Sequence, residues 1–156
     1  MVAGVVVGSA FVHEGAAAKL VHSLKYRRCL GSARLLADAM APHLRPDARW
    51  LVPLPRAFSR RVKYGVDPAV ELAAALGELT GTPLAFALGA PMWWRRRAGR
   101  PRDTRGEVAF RVRSDPGSHL VLIDDVLTTG ATVASAVRGF GRGDISVLTA
   151  TSAGTM

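Results

Sequence analysis

The stretch HLVLIDDVLTTGATV, from His119 to Val133, constrains the fold more than any other part of the chain. Leu120 to Ile123 are apolar without alternation, the pattern of a strand covered on both faces, as in parallel sheets. Two acids follow at Asp124 and Asp125, then hydroxyls at Thr128, Thr129 and Thr132 around Gly130. Helical spacing resumes in TVASAVRGF, so the segment reads as strand, turn and helix. Side chains alternate across a strand, so adjacent acids cannot both enter a core. At a strand's carboxyl end both reach the crevice where open α/β sheets bind ligands.

The rest of the chain supplies the partners for such a strand. MVAGVVVGSAF reads as a strand and lacks the basic start of a signal peptide. EGAAAKLVHSLKYRRCLGSARLLADAMAPHL shows helical spacing and predicts two helices broken near Gly31. Leu20, Val21, Leu24 and Cys29 would share one face, with Leu35, Leu36, Ala39 and Met40 continuing it. RWLVPLP predicts a buried strand entering a proline-stiffened loop, and DPAVELAAALGELTG is the clearest helix. Its signals are Asp67 as N-cap, Pro68 at the first position and Gly81 past the last turn. TPLAFAL and DISVLTAT read as strands. MWWRRRAGRPRDTRGEVAFRVR has no helical stripe and predicts an exposed loop or loose hairpin returning through VAFRV. Alternating strands and helices give a mostly parallel α/β sheet flanked by helices, with residues 1–156 as one domain.

Composition narrows the function. No apolar run approaches the roughly 20 residues of a membrane span. One cysteine, Cys29, excludes an internal disulfide and a cysteine-cluster zinc site, and it suits a cytoplasmic setting. His13, His22, His43 and His119 are scattered without metal-ligand spacing. The net charge of +9 is mostly arginine, gathered between Arg56 and Lys63 and between Arg95 and Arg113. Such an excess favours anionic partners, whether phosphates, nucleotides or nucleic acid, unless it is simply a solvated face.

The acid pair and the hydroxyl turn describe a ribose 5-phosphate: a diol on the carboxylates, a phosphate in the turn. The turn offers hydroxyls, successive N–H groups and a helix N-terminus, and Gly130 keeps a Cβ out of the way. No lysine follows the glycine, so this is not a Walker loop. GFGRG precedes a strand, so it is not a dinucleotide fingerprint either.

These residues resemble a known family. VLIDDVLTTGAT is similar to the phosphoribosyl diphosphate (PRPP) motif of type I phosphoribosyltransferases. HSLKYRR, VPLPRAFSRRVKYG and VAFRV resemble segments of one branch, the ComF-like, competence-associated phosphoribosyltransferases, so the likeness runs over about residues 11 to 150. The resemblance implies a type I phosphoribosyltransferase-like fold with a mobile basic loop or hairpin. It implies catalytic and ribose-binding roles for Asp124 and Asp125. The 5-phosphate would lie on Val126, Leu127, Thr128, Thr129, Gly130, Ala131 and Thr132. The diphosphate would lie on Pro55, Arg56, Arg60, Arg61 and Lys63, and the mobile loop would hold Trp93, Trp94, Arg95 and Arg97. Mg²⁺ would arrive with PRPP and need no protein cage. The acceptor would be a base or an amine, and the setting nucleotide metabolism.

The chain departs from that pattern in three places. It has no cysteine-rich zinc module, reads KYGVDPA where relatives usually have Arg-Gly-Phe-Asn-Gln, and carries the basic RRRAGRPRDTRGE in the mobile-loop region. The last two departures motivate an alternative, a PRPP- or nucleotide-sensing module without turnover. The charge and the Trp–Arg segment motivate another, a nucleic-acid accessory protein in DNA uptake. Trp93 and Trp94 could equally cover an apolar edge or a homodimer interface. Lys25 and Tyr26 lie off the apolar stripe of their helix, open to a contact role or to a structural one.

Overall fold

The computed structural model describes residues 1–27, 29–56, 62–89 and 110–154. In chain order these form β1 (Val6–Val12), α1 (Gly15–Arg27), α2 (Leu30–Met40), a 3₁₀ turn (Ala41–His43) and β2 (Trp50–Pro53). Then come α3 (Pro68–Thr80), β3 (Leu88–Gly89), β4 (Arg111–Val112), β5 (Leu120–Leu127), α4 (Ala131–Phe140) and β6 (Ile145–Ser152). Four strands form one parallel sheet in the order β1-β6-β5-β2, and β3 pairs with β4 antiparallel. The fold is therefore α/β, with a mostly parallel sheet flanked by helices. No helix among the described residues is long and apolar enough to cross a membrane.

Two apolar clusters sandwich the sheet. Val121 and Ile123 of β5 and Leu148 and Ala150 of β6 pack against Val21, Leu24, Leu36, Met40, Leu72 and Leu76 of α1, α2 and α3. The alternate residues Leu120, Leu122, Ile145 and Val147 face Val133, Ala136 and Val137 of α4, together with Leu88 and Phe110. Apolar residues on both faces are what the unbroken run in β5 requires.

α4 leaves β5 on one face and α3 leaves β2 on the other. The sheet therefore reverses between β5 and β2, and in open α/β sheets such a reversal opens a crevice at the carboxyl edge. β2 stops at Pro53, opposite Ile123, and Leu54 adds a last N–H bond to the Ile123 carbonyl at 2.9 Å. The acids come next on β5, at a point where β2 no longer accompanies it.

Several sequence expectations are corrected, though the two helices broken near Gly31 are present: α1 ends at Arg27 and α2 begins at Leu30, with Gly31 inside it. With that start, Ala33, Leu36, Ala37 and Met40 take the i, i+3, i+4, i+7 positions. Leu35 falls between them and is 58% exposed, and Cys29 is exposed as well. TPLAFAL is not a strand along its length. It touches β2 through one bridge, with Leu51 N–H to the Pro83 carbonyl and Ala85 N–H to the Leu51 carbonyl, both 2.9 Å. Pro83 has no N–H with which to extend that ladder.

β5 also runs on past Ile123. Asp124, Val126 and Leu127 stay in register with Thr149, Thr151 and Ser152 of β6. Asp67 and Gly81 do bound α3, Gly81 in the left-handed region at φ 72°. The Asp67 side chain does not cap the helix; its Oδ2 accepts the Arg56 N–H at 3.0 Å. β3 and β4 pair where the returning hairpin was expected, and the segment between them lies mostly outside the described residues.

Candidate functional site

The acid pair gains a neighbour that its own segment does not reveal. Val121 and Ile123 face α1, so alternation turns Asp125 toward the same helix. There Lys25 Nζ lies 2.5 Å from Asp125 Oδ2, with 24% and 11% of the two side chains exposed. The Asp125 carbonyl accepts the Thr151 hydroxyl at 3.1 Å. Asp124 Oδ1 turns back to accept the Asp125 N–H at 2.9 Å.

Burial pushes the Asp124 carboxyl well above the usual carboxylate range, and the adjacent Asp125 carboxylate adds to the rise. The Asp125 N–H and Lys25 offset only part of it. An acid whose folded-state pKa is raised keeps its proton longer when folded, so the group destabilises the fold progressively as pH climbs above its unfolded value of about 3.9. Asp124→Asn keeps the oxygen that accepts the Asp125 N–H and removes the titration. This variant should be more stable than the parent at neutral pH. Urea unfolding at several pH values should show that gain vanish below about pH 4.

Lys25 is the opposite case. A partly buried carboxylate left without its ammonium is costly, although less so than in a fully buried pair. Lys25→Met should lower stability at pH 7 by about 1–3 kcal/mol. An unchanged urea midpoint would mean the contact contributes nothing.

The hydroxyl turn follows β5 directly. Gly130 caps α4 with φ 72° and ψ 2°, a conformation that side-chain-bearing residues rarely adopt. A Cβ there would also meet Val2 Cγ1 at 2.8 Å, so the glycine serves both the turn and the packing of the amino-terminal segment. Gly130 has no side chain to cap α4, the Thr129 hydroxyl accepts the Ala131 N–H at 3.5 Å, and the first turn holds no acid, so the N-terminal partial positive charge faces the turn. Thr128, Thr129 and Ala131 are exposed and Thr132 is half-buried. Val126 and Leu127, expected to belong to the phosphate turn, are strand residues, and the Leu127 carbonyl accepts the Ala153 N–H.

On the β2 flank, Pro55 and Arg56 follow the strand as expected, but the Arg56 guanidinium is already engaged. Its carbon lies 4.9 Å from the Tyr64 ring centroid and 5.9 Å from that of Tyr26, and Nη1 reaches the Lys25 carbonyl at 3.4 Å. Tyr26 meets Tyr64 edge-on at 5.1 Å, and Lys63 lies 5.2 Å from the Tyr64 ring. These contacts tie the end of α1 to the arginine loop and so fix where Lys25 starts. Tyr64 was assigned no role from the sequence; Lys25 and Tyr26 stood out by lying off the apolar stripe of their helix and within HSLKYRR, one of the segments that resemble the ComF-like branch. Arg60, Arg61, Trp93, Trp94, Arg95 and Arg97 lie outside the described residues.

The described cavities lie elsewhere. One of about 180 Å³ at the amino edge is lined by Arg45, Asp47, His119 and Asp144 among others. Its charges are paired: Arg45 with Asp47 at 2.8 Å, His119 Nδ1 with Asp47 at 2.9 Å and Arg142 with Asp144 at 2.5 Å. Arg45 holds the Asp47 carboxyl down to about 2. This network fastens loops together and offers a ligand little. A second cavity, of about 380 Å³, lies by Gly89 and Arg111 to Arg113. Neither includes the acid pair.

Among the described residues no group of three or more His, Cys, Asp or Glu could hold a metal ion. The oxygen donors of the acid pair suit a hard cation that brings most of its own ligands, as Mg²⁺ on a diphosphate does. No model of a known protein family matches the chain, and no curated protein matches it.

Proposed function

We propose that the protein binds PRPP and transfers its ribose 5-phosphate to a base or amine, releasing diphosphate. One observation carries this reading: Asp124 and Asp125 stand at the sheet's reversal point and lead directly into the Thr128–Thr132 turn at the α4 N-terminus. A carboxylate pair one turn from an anion seat has the spacing of a sugar diol and its 5-phosphate. The phosphate would accept N–H and hydroxyl bonds from the turn, and the diol would donate to the carboxylates.

Loss of diphosphate leaves positive charge at C1, and the carboxylates lie where that charge develops. Arg56 and Lys63 flank the side from which diphosphate leaves. Mg²⁺ bound with PRPP would neutralise part of the leaving group's charge. Lys25 holds Asp125 in the ligand-free protein, so ligand binding exchanges that ion pair for substrate contacts.

The engaged state of Arg56 favours a second reading, a PRPP-sensing module that does not turn over. The two readings separate in one experiment. Calorimetry with PRPP and Mg²⁺ should give saturable binding, and a panel of purine and pyrimidine bases and ammonia should then elicit diphosphate release. Binding without release supports the sensor, and absence of binding removes both readings.

A further inference from the structure

We infer that Lys25 is the residue by which the site tells PRPP from ribose 5-phosphate: its ammonium takes the diphosphate at C1. The inference rests on the PRPP reading, with or without turnover, and adds a specificity residue to it. It starts from the two faces of the sheet. Along β5, Leu120 and Leu122 face α4, while Val121 and Ile123 face α1, α2 and α3. The ladder with β6 runs on through Leu127, so the alternation carries past the acids. Asp124 therefore belongs to the α4 face and Asp125 to the α1 face. On that second face Lys25 Nζ meets Asp125 Oδ2 at 2.5 Å. The anion seat at the α4 N-terminus lies on the first.

The chemistry of the ligand decides what such a cation can hold. PRPP carries two anionic groups, the 5-phosphate and the diphosphate, joined by a neutral sugar whose hydroxyls donate to carboxylates. The turn at α4 serves the 5-phosphate, so an ammonium across the sheet edge from that turn is matched to the diphosphate. Its surroundings agree. The Lys25 carbonyl accepts Arg56 Nη1 at 3.4 Å, and Arg56 and Lys63 both lie against the Tyr64 ring. Lys25, Arg56 and Lys63 thus gather on one flank. The Lys25 side chain keeps 24% of its surface exposed, so a ligand can reach it without displacing α1.

The ion pair ties this contact to discrimination. Asp125 is buried, and its Oδ2 makes no hydrogen bond among the described residues, so Lys25 faces it as a counter-charge alone. Lysine is a point charge with three donors on a flexible stem, able to turn from one anion to another. When the sugar hydroxyls take Asp125, the ammonium needs a new anion, and the diphosphate supplies it on the same ligand. Ribose 5-phosphate brings the hydroxyls without that anion. It must either leave the ion pair intact, forgoing Asp125, or strand the ammonium.

Calorimetry with PRPP and Mg²⁺ and, separately, with ribose 5-phosphate measures the discrimination. Lys25→Met should lose about 10- to 100-fold in PRPP affinity and no more than about twofold in ribose 5-phosphate affinity. Lys25→Arg keeps the charge and should retain most of the PRPP affinity that Lys25→Met loses. Lysine side-chain ¹⁵N spectra of the wild-type protein give a reading that no variant's folding affects: the Lys25 ammonium should shift at saturating PRPP and Mg²⁺. Four results overturn the inference and leave PRPP binding standing: undiminished PRPP affinity in Lys25→Met, an equal loss for both ligands, a loss in Lys25→Arg as large as in Lys25→Met, or an unmoved ammonium. Wild-type protein that fails to bind PRPP removes the reading on which the inference rests.

Discussion

Replacing Asp124 and Asp125 together by asparagine is expected to weaken PRPP binding by about 100-fold or more. Hydrogen bonds to charged groups contribute about 1.5–3 kcal/mol each, and two lost bonds of that kind exceed two decades of affinity. Asparagine keeps the volume and one oxygen at each position, so shape cannot account for such a loss. The two changes act differently on the fold. At Asp124 the amide relieves a carboxyl that burial and Asp125 already disfavour. At Asp125 it leaves the Lys25 ammonium facing an amide in place of a carboxylate. The variant should stay folded, its circular dichroism unchanged, while calorimetry reports the weakened binding. Unchanged affinity would remove the acids from the binding site.

Ile123→Ala is expected to have the largest effect on stability. Ile123 is fully buried, one residue before the acids, and packs in the cluster that joins β5 to α1, α2 and α3. Truncating such a side chain costs about 2–5 kcal/mol, against a total of about 5–15 kcal/mol for a domain. The melting temperature should fall by about 5–15 °C. Leu35→Ala is the contrast: the side chain is 58% exposed, and its removal should change stability by no more than about 0.5 kcal/mol. Equal losses in the two variants would contradict the placement of the core.

The contrast between Ile123 and Leu35 marks what the sequence could and could not convey. The strand, turn and helix of His119 to Phe140 were legible because their signals are local: an unbroken apolar run, a glycine able to take positive φ, and helical spacing beyond it. Leu35 was misplaced because helix phase depends on where the helix starts, and docking against the sheet sets that start. β5 was read as too short because its apolar run ends at Ile123, whereas its ladder with β6 continues to Leu127.

The contacts of the site with distant residues were the least legible. Lys25 and Asp125 stand a hundred positions apart, and only the packing of α1 on the sheet brings them together. Tyr64 and the inward turn of Arg56 have the same origin.

A sugar phosphate seated between β5 and α4 is the claim from which the rest is built. Titrating ¹⁵N-labelled protein with ribose 5-phosphate tests it most directly. The account predicts saturable shifts at the amides of Asp125 and of Thr128 through Thr132. Shifts confined to the amino-edge residues Arg45, Asp47, His119 and Asp144, or no shifts at millimolar ligand, would contradict it.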